Sequence, residues 1–254
     1  MVTILYADVT GCDETALVEQ YLDTVDAYHR GRITAYKPVR AKALSLAAGV
    51  LMQVGVRAMT EPAGLDTDLL STGDDGIAFL NYDDFHVLYE PMPLTYEKGE
   101  FGKPLLKTVP EIKFSLSHSG SIAAVSLATI DTGMDVQFHR PTNYVRIAER
   151  FFAPAEIAFL QSVRQRMLDD KKSTAVFHDL WAAKEAYVKY TGEGLFKPFD
   201  SFEAELHYTT LPVTGVIEPD GACLIYPIAV TDYSFCLCTE NPPDVRVMRV
   251  TLRT

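Results

Sequence analysis

Helical and strand periodicities follow one another along the chain and begin again at Ile130, and this recurrence limits the folds the sequence can adopt. In the first half, residues 2–7 read as a strand and 13–29 as an amphipathic helix with Leu17, Tyr21, Val25 and Tyr28 on one stripe. Pro38 then opens a helix reaching about Met59, where its missing N–H costs nothing. Residues 60–76, with Pro62, Gly64, Gly73 and Gly76 among five acids, read as an exposed connection. Short strands follow at Phe85–Tyr89 and Ile122–Thr129, the second after a polar turn, Ser117-His-Ser-Gly120. The second half repeats the mixture: a strand at Gly133–Phe138, helices near 142–151 and 154–168, a long helix at 174–191, and strands near 201–206, 213–217, 222–226 and 231–238. The pattern predicts an α+β protein of two lobes, residues 1–128 and 129–254, without a solenoid repeat.

With 48 % hydrophobic and 22 % charged residues, the 254-residue chain has the balance of a globular protein rather than a disordered one. The opening Met1-Val-Thr-Ile-Leu-Tyr-Ala-Asp8 lacks the basic segment of a signal peptide, and no uninterrupted apolar run approaches the roughly 18 residues of a membrane span. A cytoplasmic protein without a membrane partner is therefore expected. The four cysteines, Cys12, Cys223, Cys236 and Cys238, have neither metal-site spacing nor the density of a disulfide scaffold, so free and mostly buried thiols are expected.

A net charge of −11 argues against nucleic acid as a partner, which needs a basic footprint to displace counterions. Within this acidic chain, residues 27–60 hold Arg30, Arg32, Lys37, Arg40, Lys42 and Arg57 and no acid. That island is either a solvated helix face or an anion site.

Three stretches could carry chemistry. In Trp181-Ala-Ala-Lys-Glu185-Ala-Tyr-Val-Lys189, helical spacing by four puts Trp181, Glu185 and Lys189 on one face; alone, such a Glu–Lys pair is a common surface contact. In Thr132-Gly-Met-Asp-Val-Gln-Phe138, Asp135 and Gln137 alternate with apolar residues and leave one face of a strand, where two oxygen side chains suit a hard cation such as Mg²⁺ or simply face water. In Phe114-Ser-Leu-Ser-His118-Ser-Gly120 no G-x-S-x-G elbow is present, which disfavours a serine hydrolase, whereas hydroxyl and imidazole donors suit a phosphate. Lys103, in Gly102-Lys-Pro104, adds a cation.

Taken in order, Gly102-Lys-Pro104, Phe114-Ser-Leu-Ser-His-Ser119, Gly133-Met-Asp-Val-Gln137, Arg150-Phe-Phe-Ala-Pro-Ala-Glu156, Leu180-Trp-Ala-Ala-Lys-Glu-Ala-Tyr-Val-Lys189 and Gly192-Glu-Gly-Leu195 resemble the motifs of 4′-phosphopantetheinyl transferases of the surfactin-synthetase-activating type. The resemblance is specific over residues 102–195 and looser toward both ends. It implies a pseudo-twofold molecule with coenzyme A at the seam of its lobes, and transfer of phosphopantetheine from coenzyme A to a serine of an apo acyl or peptidyl carrier protein with release of 3′,5′-ADP. It further implies Asp135 and Glu185 as Mg²⁺ ligands with Gln137 beside them, Lys189 as the lysine of the long helix, and Lys103, Ser117 and His118 as coenzyme A ligands. Basic residues for the phosphates are implied among Arg32, Lys37, Arg40 and Lys42. Gln137 departs from the pattern, since many members carry a second acid there. The two-lobed form favours a monomer. Two alternatives stay open: a coenzyme A or carrier-binding module without catalysis, for which Gln137 speaks, and a metal-dependent phosphate-ester hydrolase.

Overall fold

The computed structural model describes the chain apart from Pro62, Ala63, Asp75, Leu168 and Leu211, and apart from the side chain of Leu195. In chain order, the first part comprises β1 (Val2–Asp8), α1 (Glu14–Tyr21), α2 (Ala27–Ala35), α3 (Val39–Thr60), β2 (Leu70–Thr72), β3 (Ala78–Asn81), α4 (Tyr82–Leu88), β4 (Tyr96–Lys98), β5 (Pro104–Leu106), β6 (Lys113–Ser119) and β7 (Ile122–Ala128). There follow β8 (Gly133–Phe138), α5 (Tyr144–Phe151), α6 (Pro154–Arg166), α7 (Asp170–Thr191), β9 (Glu203–His207), β10 (Thr214–Glu218), β11 (Ala222–Ile225), β12 (Tyr233–Thr239) and β13 (Val245–Thr251). The mixed α and β composition agrees with the expected class.

The chain divides into two compact units. The first holds residues 1–98, 104–130 and 244–254, and the second holds 99–103 and 131–243, so the last strand joins the first unit and a short inner segment joins the second. In the first unit a six-stranded sheet runs β2-β3-β13-β1-β7-β6, with β13 parallel to both β1 and β3 and the other pairs antiparallel. Helix α3 packs on β1 and β7, and every residue from 43 to 56 is buried. By length and mean hydropathy alone α3 is long and apolar enough to cross a membrane, although polar and charged residues interrupt its apolar run. The burial of residues 43–56 identifies it as a core helix of this unit; Ser45 and Gln53 lie inside that buried stretch, and Arg40, Lys42 and Arg57 flank it. Gln53 exchanges two hydrogen bonds with the backbone of Met92, which satisfies its amide in the core.

Three local expectations fail in this unit. The helix read over 13–29 is two helices, because Val25 is extended and the buried Asp26 starts α2 by accepting a hydrogen bond from the His29 N–H. The strand read at Phe85–Tyr89 is helix α4: Asn81 caps it, Asp83 and Asp84 occupy its first turn, and Tyr82 and Phe85 bury one face at helical spacing. The turn read at Ser117-His-Ser-Gly120 is the end of β6, and only Gly120 and Ser121 connect it to β7. The connection over 60–76 contains a short helical turn and β2; Pro62 lies outside the described residues.

The second unit is a five-stranded antiparallel sheet, β8-β12-β11-β10-β9, against which α7 packs along β8 and β12. Its elements fall close to their expected places, with the long helix starting at Asp170 rather than 174 because Asp169 accepts hydrogen bonds from the Lys171 and Lys172 N–H groups. The contact between α7 and β8 is closer than any side chain allows: a Cβ on Gly133 would lie 2.0 Å from the Ala186 carbonyl oxygen and 2.3 Å from the Tyr190 nitrogen. Glycine is thus required at the first position of the Gly133-Met-Asp-Val-Gln137 motif. All four cysteines are free, with Cys236 and Cys238 buried.

Candidate active site

Strand β8 is an edge strand whose Asp135 pairs with Cys236 and whose Gln137 pairs with Ser234 of β12. Because side chains alternate, Asp135 and Gln137 share the face on which α7 lies, and Met134 and Val136 are buried on the other face of the strand. Asp135 is 3 % exposed, so α7 covers a position that the alternation alone left facing either a ligand or water. Its two carboxylate oxygens are held from different directions: Lys189 Nζ donates to Oδ1 at 2.6 Å, and Gln137 Nε2 donates to Oδ2 at 2.7 Å. The amide of Gln137 is oriented by this contact, since its carbonyl oxygen beside a carboxylate would be repulsive.

Glu185 lies one helical turn before Lys189 and close enough to Asp135 to feel its charge. Burial and then the Asp135 charge push its carboxyl above the usual range, and the Lys189 ammonium opposes them. Among the described residues Glu185 has no hydrogen-bond partner, so its carboxylate is oriented by its helix and not by a network. Trp181, a further turn back, closes the row by packing among Phe152, Phe177 and Phe199.

The donor set suits Mg²⁺. The carboxylates of Asp135 and Glu185 lie near one another with the Gln137 amide beside Asp135, and Mg²⁺ ordinarily takes one or two protein carboxylates while retaining water or substrate phosphate. Among the described residues no group of three or more His, Cys, Asp or Glu side chains forms a cage of the kind zinc uses.

The sequence reading missed what stands behind Glu185. Lys184, fully buried, donates to the carbonyls of Phe199 and Phe202 at 2.8 and 2.7 Å and pairs with Glu156 at 2.8 Å. Glu156 in turn accepts from the Ala204 and Ala153 N–H groups. Burial drives Glu156 up and Lys184 down, each opposed by the other's charge. This network ties α6, α7 and the segment before β9 together beneath the row of site residues. The signal was present as Lys184 and Glu156 within two of the quoted motifs, but charged residues are presumed exposed unless a partner is known.

Lys103 is placed within the second unit, where its Nζ donates to the carbonyls of Lys189, Thr132 and Tyr190 at 2.5, 3.3 and 3.5 Å. The remaining sequence-selected residues belong to the first unit. Ser117 is buried and His118 exposed on β6, on opposite faces as strand alternation demands. Arg40, near the start of α3, donates from Nε to the Gly120 carbonyl at 3.3 Å and pairs with Glu14, which puts the basic island beside the end of β6. Arg32 donates to the hydroxyls of Tyr28 and Tyr36 at 3.1 and 2.7 Å. Lys37 is exposed and Lys42 half-buried. Arg57 sits at the far end of α3, paired with Glu61.

A Ser–His–Asp cluster does occur in the second unit, but in the wrong order for a nucleophile. Ser234 donates to Asp179 at 2.6 Å and meets His139 Nε2 at 2.7 Å, so the hydroxyl stands between the acid and the imidazole. Burial, with His178 nearby, pushes His139 down to about 4.

Residues 131–238, less than half of the chain, match the family model of the 4′-phosphopantetheinyl transferase superfamily, and this stretch contains Asp135, Gln137, Glu185 and Lys189. Among individual relatives, a 4′-phosphopantetheinyl transferase of Bacillus subtilis is 29 % identical over 157 residues, covering 60 % of this chain and 66 % of its own. The transferase Sfp of Bacillus subtilis is 29 % identical over 150 residues, 59 % of this chain and 64 % of its own. HetI of Nostoc sp., also named a 4′-phosphopantetheinyl transferase, is 31 % identical over 159 residues, 58 % and 64 %. The chain thus covers just under two thirds of the length of these relatives, and the resemblance read from its motifs is borne out.

Proposed function

We propose that the protein transfers 4′-phosphopantetheine from coenzyme A to a serine of an apo acyl or peptidyl carrier protein, in the manner of holo-acyl-carrier-protein synthases, with Mg²⁺ as the metal and 3′,5′-ADP as the second product. The observation that carries this reading is the convergence of Glu185, Lys189 and Asp135, from one helix and one strand, within the region similar to the transferase family.

The reaction forms a bond between the serine Oγ and the β-phosphorus of coenzyme A and breaks the bond from that phosphorus to the bridging oxygen, which leaves on 3′,5′-ADP. Charge accumulates on the phosphate oxygens, so catalysis is chiefly positioning and neutralisation. Bound Mg²⁺, held by Asp135 and Glu185 with Gln137 alongside, supplies a share of that neutralisation. Lys189 supplies another: its ammonium, already held by Asp135, can turn one of its remaining donors toward a phosphate oxygen. The raised proton affinity of Glu185 suits it to take the serine proton, directly or through a water. In the first unit, Ser117 and His118 are proposed coenzyme A ligands together with Arg40; Arg32, Lys37 and Lys42 complete the basic set. The opposite orientations of Ser117 and His118 favour His118 as the one whose side chain reaches a phosphate.

A non-catalytic binding module rests on Gln137 alone, and Gln137 keeps Asp135 oriented, as a supporting residue of an active site would. Measuring 3′,5′-ADP release with and without an apo carrier separates the readings. Release that depends on the carrier is expected; release without it indicates a hydrolase, and none with it a binding module.

Replacing Gln137 by Glu adds an acid beside Asp135 and removes the hydrogen bond that Asp135 accepts. The Mg²⁺ concentration for half-maximal activity is expected to fall by roughly three- to tenfold, because ligand charge raises affinity for a hard cation. The thermal midpoint is expected to drop without Mg²⁺ and to recover with it, as binding to the folded state requires. An unchanged or higher Mg²⁺ requirement would show that residue 137 does not face the metal.

A further inference from the structure

Lys103 ends the turn over residues 99–103, which belongs to the second unit; there the Gly99 N–H donates to the Lys103 carbonyl at 2.8 Å and the Gly102 N–H to the Gly99 carbonyl at 2.9 Å. Gly102 adopts φ +87°, a conformation that makes this tight turn and that few side chains tolerate. Pro104 then begins β5, on a two-stranded ribbon where a missing N–H is tolerated. The turn delivers the ammonium to three carbonyls. Two, those of Lys189 and Tyr190, belong to the last turn of α7, whose terminal carbonyls lack helical partners and carry the negative end of the helix dipole. The third, that of Thr132, belongs to the residue immediately before β8. The same two elements touch backbone to backbone at Gly133, and they carry Lys189 and Asp135.

We propose that Lys103 is a positioning residue of the transfer reaction: by bonding the end of α7 to the start of β8, it holds Lys189 at Asp135. The expectation that Lys103 grips a phosphate of coenzyme A is replaced by one in which its donors serve the protein backbone. This inference rests on the transfer reading for its catalytic consequence, while its structural half can be tested without it.

The variants are Lys103→Met, which keeps the aliphatic stem, and Lys103→Arg, which restores a cationic multiple donor. Hydrogen exchange of the amides over 186–191 and 132–135 is expected to accelerate about tenfold or more in Lys103→Met and to return most of the way in Lys103→Arg. With an apo carrier as substrate, kcat is expected to fall about tenfold to a hundredfold in Lys103→Met, as small misplacements of catalytic groups do. Coenzyme A affinity by calorimetry is expected to stay within about threefold of wild type, because no ground-state phosphate contact is lost. Unchanged exchange in both segments would overturn the proposal, as would a tenfold loss of coenzyme A affinity at unaltered kcat. Should Lys103→Met fail to fold, Lys103→Gln, which keeps part of the stem and a weaker donor, takes its place: faster exchange with reduced kcat at normal coenzyme A affinity supports the proposal, and unchanged exchange with weakened coenzyme A binding overturns it. A wild-type protein that loads no carrier refutes the transfer reading; the exchange experiment still decides the clamp.

Discussion

Glu185→Gln is expected to lower kcat for carrier loading by about a thousandfold while leaving the protein folded. Removal of a general base typically costs roughly 10²- to 10⁴-fold, and here the substitution also removes a proposed metal ligand. Stability should be kept because Glu185 makes no hydrogen bond to another described residue and because burial and the Asp135 charge both penalise its ionised form. A neutral amide of the same shape relieves that penalty, so the unfolding midpoint is expected to be equal or slightly higher. Steady-state loading and urea titration of the same preparation check both halves. A kcat within threefold of wild type would remove Glu185 from the proposed chemistry.

Lys184→Ala should act in the opposite way, on folding rather than on chemistry. The substitution leaves the Glu156 carboxylate buried without a cation and the carbonyls of Phe199 and Phe202 without their donor, and it empties a cavity facing the rings of Phe152 and Phe202. Breaking a buried, hydrogen-bonded ion pair from one side costs about 3–5 kcal/mol, a large part of a domain's stability. Glu156→Gln should cost less, since the amide oxygen can still accept from Lys184 or Ala204. Urea midpoints measure the difference; a loss under about 1 kcal/mol in Lys184→Ala would mean the site closes around water and does not need the ion pair.

Where a segment obeyed one period and one face, it was legible. Residues 133–138 alternate cleanly and form β8 at the predicted bounds, and the spacing of Trp181, Glu185 and Lys189 placed them correctly along α7. Strand β13 was not foreseen because its apolar residues change face midway: Val245 and Val247 lie on one side, Met248 and Val250 on the other. Its partners, β1 and β3, are distant in sequence. Helix α4 was misread because Phe85, Val87 and Tyr89 favour strands, and the acids and the Asn81 cap that override them act through local hydrogen bonds. At the site, Asp135, Glu185 and Lys189 could be selected because side-chain direction follows from element geometry. The work of Lys103 and Lys184 could not, because each is defined by carbonyls that chain folding brings to it and carbonyls have no sequence signature.

The most direct test of the account is intact-mass spectrometry of a purified apo carrier protein incubated with this protein, coenzyme A and Mg²⁺. The account predicts that the carrier gains the mass of one phosphopantetheine, that fragmentation places it on a serine, and that the gain disappears with Glu185→Gln. A carrier panel that stays at its apo mass under wild-type protein, while coenzyme A remains intact, would contradict it.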